Sequence, residues 1–351
     1  MKDIQQTLQS IEQWTPPEDW MKISVLDAHT GGEPLRIVLS GLPEMKGNTV
    51  LERRQFMKQH FDNLRTSLMF EPRGHADQYG AVVMPPCTEG TDFSVLFLHN
   101  EGYSTMCGHA IIALTKVMLE TGAVEMEYPE TVLRIEVPSG IVTSYAECKE
   151  GRVENVKFHN VPSFASMLDE KVVVPGIGTV TFDLGFGGAF YAYVDAESCG
   201  VKMIPEDYRN IIEVGGAVKK AVMENFKIEH PFEKDLSFLY GTIFTGPAIT
   251  PGIDSRNVCI FAEGEVDRSS TGSGVAGRMA IHYAKGDLKI GQKMTIESIL
   301  GSVFTGSVVS ETTFGPHKAV IPQVEGNAWI NGMAQFFIDP NDPLKDGFIL
   351  R

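Results

Sequence analysis

The sequence predicts an α/β protein made of two related halves that face a shared cleft. The first reason is size: 351 residues, 43% of them hydrophobic, can bury a sizeable core and point to about two domains. The second is the alternation of short apolar, strand-like runs with a few helical stretches. The third is a degenerate internal repeat. Setting Cys107 on Thr271 aligns Gly108 with Gly272, Ala110 with Gly274, Ile111 with Val275, Ile112 with Ala276, Val117 with Ile281 and Gly122 with Gly286, without a gap.

In chain order, residues 1–20 read as a short helical lead ending at Pro16-Pro17. Strands are expected over 21–26 and 35–39, around the turn Asp27-Ala-His-Thr-Gly-Gly-Glu-Pro34. Leu51, Phe56, Phe61, Leu64 and Leu68 recur at helical spacing, which predicts a helix over 49–68 capped by Asn48 and broken at Glu71-Pro-Arg-Gly-His75. Strands over 81–84 and 93–99 lead to the central stretch. There Ser104 and Thr105 are cap residues for a helix with Cys107 in its first turn, apolar at Ile111, Ile112, Leu114, Val117 and Met118 and closed by Gly122. Three short strands, 132–137, 140–146 and 153–158, complete this half, and a boundary is expected near 161–168.

The second half repeats the order. Strand 180–184, the pair Gly187-Gly188 and strand 190–194 come first; a helix over 205–226 and strands near 238–244 and 257–263 follow, and then the helix beginning at Thr271. Gly31-Gly32 and Gly187-Gly188 hold comparable places. The remainder, 293–299, 302–312, 317–324 and 327–338, is strand-like, and its last strand is expected to cross back. The expected units are thus 1–165, completed by about 326–351, and 166–325.

A formal charge of −15 argues against nucleic acid and anionic membrane surfaces, both of which demand clustered Lys and Arg. The first twenty residues lack the basic flank and apolar stretch of a secretion signal, and no run approaches the ~20 apolar residues of a membrane span. A cytoplasmic protein is expected. Cys87, Cys107, Cys148, Cys199 and Cys259 are odd in number with no CxxC pair, so neither a disulfide framework nor a zinc knuckle is indicated. The nine histidines include no HExxH, and no metal is expected.

The chemistry concentrates at the two helix starts. Cys107 at the positive end of a helix dipole ionises more readily than a free thiol, and the N–H groups of Gly108 and His109 would face an anion. The alternative, a packed core cysteine, explains neither the glycine beside it nor the histidine two residues on. The second helix offers a hydroxyl at the equivalent point, Thr271, followed by Gly272 and Ser273. Asp267, just before that helix, is placed to meet a substrate ammonium. His29 and His75 are further candidates, since both lie in turn-like runs near glycines. Gly272-Ser-Gly-Val-Ala-Gly277 matches a dinucleotide fingerprint with Glu297 some twenty residues on. That site should directly follow a strand, however, and Val266 to Thr271 intervene, so a dinucleotide enzyme is a remote alternative.

Taken together, Asp27-Ala-His-Thr-Gly-Gly-Glu-Pro34, Glu71-Pro-Arg-Gly-His75, Met106-Cys-Gly-His109, Gly187-Gly188 and Asp267-Arg-Ser-Ser-Thr-Gly-Ser-Gly274 make the chain resemble the proline racemase family over nearly its whole length. The resemblance implies a diaminopimelate-epimerase-like fold, each half a curved sheet around a central helix, with the site between them, and commonly a homodimer. Racemases and epimerases of the family carry Cys in both helix motifs, one on each face of the substrate carbon. Thr271 departs from that pattern and resembles the trans-3-hydroxy-L-proline dehydratase branch. The implied reaction is loss of water to 1-pyrroline-2-carboxylate, with Cys107 removing the Cα proton and no cofactor. The alternative is proline racemisation or 4-hydroxyproline 2-epimerisation. Inversion needs acid–base groups on both faces, and Thr271 is too weak an acid for one of them.

Overall fold

A computed structural model describes residues 3–350 of the chain. After helix α1 (Ile4–Glu12), strands β1 (Met21–Thr30) and β2 (Glu33–Ser40) form an antiparallel hairpin. It turns at Gly31 and Gly32, both at positive φ (60° and 95°), a backbone glycine adopts without a Cβ clash. Helices α2 (Val50–His60) and α3 (Asp62–Met69) follow as two elements rather than the single helix expected. Phe61 leaves the helical region at φ −139° and turns its ring onto Phe56. The cap is Thr49, not Asn48: its Oγ1 accepts from the Glu52 amide at 3.1 Å, and the Glu52 carboxylate accepts at 2.6 Å from the amide of Asn48, the residue just before the cap.

Strand β2 runs parallel to β3 (Gly80–Met84), which pairs antiparallel with β4 (Phe93–Leu98). The two-residue β5 (Tyr103–Ser104) turns back on β4 and delivers the chain to α4 (Gly108–Glu120). Next, β6 (Glu130–Val137) lies parallel to β4, and β7 (Gly140–Lys149) and β8 (Arg152–His159) continue antiparallel. Residues 164–174, to which the sequence pattern assigns no strand, form β9 (Phe164–Val174). Its charged run Asp169-Glu-Lys171, with Asp169 at φ 55°, interrupts the alternation of Phe164, Val172 and Val174 and hides it.

The same pairing scheme then recurs. Strand β10 (Gly178–Phe186) pairs antiparallel with β11 (Phe190–Asp195), and β11 parallel with β12 (Leu239–Gly246) across α5 (Tyr208–Asn225). Strand β12 pairs antiparallel with β13 (Ser255–Phe261), which takes the two-residue β14 (Glu265–Val266) before α6 (Gly272–Lys285). Parallel to β13 comes β15 (Lys293–Glu297), then β16 (Val303–Phe314) and β17 (His317–Gly326), antiparallel. The last strand, β18 (Ala328–Ile338), pairs with β1 as β9 pairs with β10. A short β8–β17 pairing joins the two systems.

Each sheet wraps one helix. From Gly108 to Thr115 every residue of α4 is buried, and from Gly272 to Ile281 every residue of α6. A helix apolar on all sides is stable only when surrounded, and the curled sheets supply that surrounding. Among the described residues, no helix is long and apolar enough to cross a membrane.

Candidate active site

Cys107 and Thr271 occupy equivalent places, each the N-cap residue of a buried helix. Cys107 is extended (φ −145°, ψ 106°) and its carbonyl accepts the first helical bond, from Ile111 N at 3.1 Å. It therefore stands at the helix mouth rather than within the first turn. Ser104 and Thr105 do not cap the helix: their hydroxyls donate to the carbonyls of Met106 (3.0 Å) and Gly188 (2.6 Å) and fix the approach to it. Thr271 sits at φ 64°, ψ 91°, an outlying backbone for a β-branched residue. Its own amide donates to Ser269 Oγ at 3.1 Å, and the Ser269 amide donates to Asp267 Oδ1 at 2.8 Å.

The two helices meet end to end. A Cβ added to Gly108 would lie 2.6 Å from Gly272 Cα, and one added to Gly272 would lie 2.6 Å from Gly108 Cα. Only glycine lets the two N-termini approach so closely, and the unpaired amides of both first turns open on one place. The hairpin tip of the first half grips the second: Gly31 and Gly32 lie against Ser269 and Arg268, and Glu33 Oε2 accepts from Arg268 N at 2.7 Å. Reciprocally, Gly188 abuts Met106 and Gly187 abuts Ser273.

Between the helix ends lies a narrow cleft, lined by Tyr79, Met106, Cys107, Gly108, His109, Tyr191, Tyr240, Phe261, Asp267, Thr271, Gly272 and Ser273. Cys107, Gly108, His109, Asp267, Thr271, Gly272 and Ser273, the residues singled out from the sequence, all meet there. His29 and His75 do not. His29 stacks on Trp329 and accepts from Gly32 N, and His75 accepts from Asp77 N. The aromatic wall of Tyr79, Tyr191, Tyr240 and Phe261 escapes sequence reasoning because these side chains look like ordinary inward positions in or beside strands. Glu33 carried a signal, its place in the Gly-Gly-Glu-Pro turn.

Cys107 Sγ lies 3.1 Å from His109 Nδ1. The second ring nitrogen, Nε2, lies 3.6 Å from the same sulfur, and the direction of the thiol–imidazole contact follows the His109 tautomer. Burial holds His109 neutral, pushing its pKa down to about 3. Contrary to the dipole expectation, burial also pushes the Cys107 thiol well up; the Ala110 amide and the Tyr79 hydroxyl oppose this, and the Asp267 and Glu33 carboxylates add to it. Desolvation of a buried thiolate outweighs one helix end. Asp267 is raised by burial as well, against the Ser269 and Thr271 hydroxyls that hold it down. The Thr271 hydroxyl lies beside Asp267 and Cys259 without a well-directed bond of its own.

Glu297 is no ribose ligand. It is 1% exposed, pairs with Arg256 at 2.8 Å and accepts from Ile249 N at 2.8 Å. Glu136 does the same structural work in the first half, accepting from Cys87 N at 2.7 Å and from the Thr88 hydroxyl.

A proline racemase profile matches residues 25–349. The chain belongs to the proline racemase family. Within it, the chain is 48% identical to the trans-3-hydroxy-L-proline dehydratase of Colwellia psychrerythraea, over 100% of this chain and 99% of that one. It is 44% identical to the 3-hydroxyproline 2-epimerase of Burkholderia multivorans, over 94% and 98%. Its fold superposes on a hydroxyproline epimerase from Agrobacterium vitis, solved with bound trans-4-OH-L-proline, with a TM-score of 0.90 at 30% identity, covering 95% of this chain and 96% of that one. The architecture is the diaminopimelate-epimerase-like fold of this family.

Proposed function

We propose that this chain dehydrates trans-3-hydroxy-L-proline to 1-pyrroline-2-carboxylate. The observation that carries the reading is the pair of N-caps: a thiol at Cys107 and a hydroxyl at Thr271 face one cleft. A single thiol equips one face of the substrate carbon for proton transfer and leaves the other without an acid of matching strength, which suits elimination and not inversion. The full-length dehydratase relative supports the same reading.

In this reading the substrate carboxylate lies between the helix ends, on the amides of Gly108, His109, Gly272 and Ser273, and Asp267 takes the ring ammonium. That ammonium neutralises one of the two carboxylates that raise the thiol, so substrate binding itself favours the Cys107 thiolate, and neutral His109 contacts the sulfur without competing with it for charge. The thiolate removes the Cα proton while charge develops on the carboxylate against fixed amides. The electron pair left at Cα forms the Cα–C3 double bond, the C3–O bond breaks, and the hydroxyl leaves with one proton as water. The enamine then tautomerises to the cyclic imine.

The structural units proposed are 1–165 with 326–351, and 166–325, consistent with the β1–β18 pairing. A cytoplasmic location is supported by five free cysteines, and a homodimer by the exposed Trp329, Ile330 and Met333 of β18. Incubation of the purified protein with trans-3-hydroxy-L-proline, without added cofactor, should release the imine, trapped as proline by borohydride. Inversion at C2 with no imine would replace this reading with the epimerase one.

A further inference from the structure

We infer that Tyr79 is the acid that protonates the departing 3-hydroxyl. This rests on the dehydratase reading and names a group for the one proton it leaves unassigned. In trans-3-hydroxy-L-proline the hydroxyl lies opposite the carboxylate, hence on the same face of the ring as the Cα hydrogen. The acid must therefore stand on the Cys107 side of the cleft.

Three phenols line that cleft. Tyr191 is committed on the opposite side, its hydroxyl 2.8 Å from Ser273 Oγ on α6. Tyr79 belongs to the Cys107 side. Its ring meets His109 edge-on at 4.8 Å, and it lines the cleft beside Cys107. Tyr240 packs its ring on Phe261 and edge-on against Tyr191 and His99 instead. Tyr79 is 2% exposed and held by packing, stacking on His99 and meeting Phe261 edge-on. Burial and the neighbouring thiol push its phenol well above the ordinary value, so it enters the reaction protonated.

The proton count closes without a co-reactant. The Cα proton passes to Cys107 Sγ and the C3–O bond breaks as the Tyr79 O–H gives its proton to the leaving oxygen. The resulting phenolate recovers a proton from the adjacent Cys107 S–H. Both residues return to their starting forms, and the two hydrogens of the water are the hydroxyl's own and, in net, the one taken from Cα.

The test compares two leaving groups. Fluoride departs with far less need of protonation, so trans-3-fluoro-L-proline bypasses an acid catalyst while making the same demand on Cys107. Tyr79→Phe should lower kcat for trans-3-hydroxy-L-proline by about 10²-fold or more. Its fluoride release from trans-3-fluoro-L-proline should stay within about tenfold of the unaltered protein. Equal losses with both substrates would make Tyr79 a packing residue, and unchanged turnover of the hydroxy substrate would remove it from the chemistry; either result overturns the assignment. Should Tyr79→Phe not fold, Tyr79→Leu must show the same split. Failure of the unaltered protein to release imine would instead sink the dehydratase reading.

Discussion

Gly108 and Gly272 touch: a Cβ on either would fall 2.6 Å from the other's Cα, so two helix N-termini approach as closely as peptide backbones allow. Substituting either by Ala forces the helix ends apart. Gly108→Ala should lower stability by about 1–3 kcal/mol, read from denaturant unfolding, as overpacking of a filled site does. It should lower turnover further, by about 10²-fold, because the shift falls on the carboxylate donors. Ala at Gly122, where a Cβ meets nothing within 4 Å although φ is +73°, should leave turnover unchanged.

This contact shows what was legible in the sequence. The gap-free alignment of Cys107 on Thr271 pairs these two glycines, because both halves face the same steric demand. The recurrence of strands around each central helix was legible for the same reason, except for β9. The aromatic wall was not: Tyr79 just before β3, Tyr191 on β11, Tyr240 on β12 and Phe261 on β13 are far apart in sequence and meet only through tertiary pairings such as β2–β3, β11–β12 and β12–β13. The rise in the thiol pKa was hidden too, since a dipole can be read from local residues but desolvation depends on the whole enclosure. The helix break at Phe61 answers to tertiary packing rather than to periodicity.

Cys107→Ala should abolish turnover, by about 10³-fold or more, with substrate affinity kept within about tenfold, because the carboxylate donors are backbone amides that survive the change. Equilibrium binding measured beside turnover checks both. Loss of binding together with turnover would make Cys107 a structural thiol.

His109 sets a pH limit on stability. Its folded pKa is about 3 against 6.5 for the free side chain, so between these values the unfolded chain binds the extra proton. Stability is therefore full above pH 6.5 and falls as pH drops toward 3. Between pH 6.5 and pH 5 this one residue should cost on the order of 1–2 kcal/mol. Denaturant midpoints over that range should decline, and His109→Gln should reduce the slope. An equal slope in the variant would mean the other buried histidines carry the effect.

The most direct test of a one-sided site is Thr271→Cys in deuterated water. If the hydroxyl at 271 is what withholds an acid from the second face, a thiol there allows Cα to be reprotonated from behind. The variant should convert L-proline or 4-hydroxyproline to the C2-inverted isomer carrying deuterium at Cα, and its dehydration of trans-3-hydroxy-L-proline should fall. A folded variant that still dehydrates, and brings no deuterium into Cα with inversion, would contradict the assignment of Cys107 and Thr271 to opposite faces.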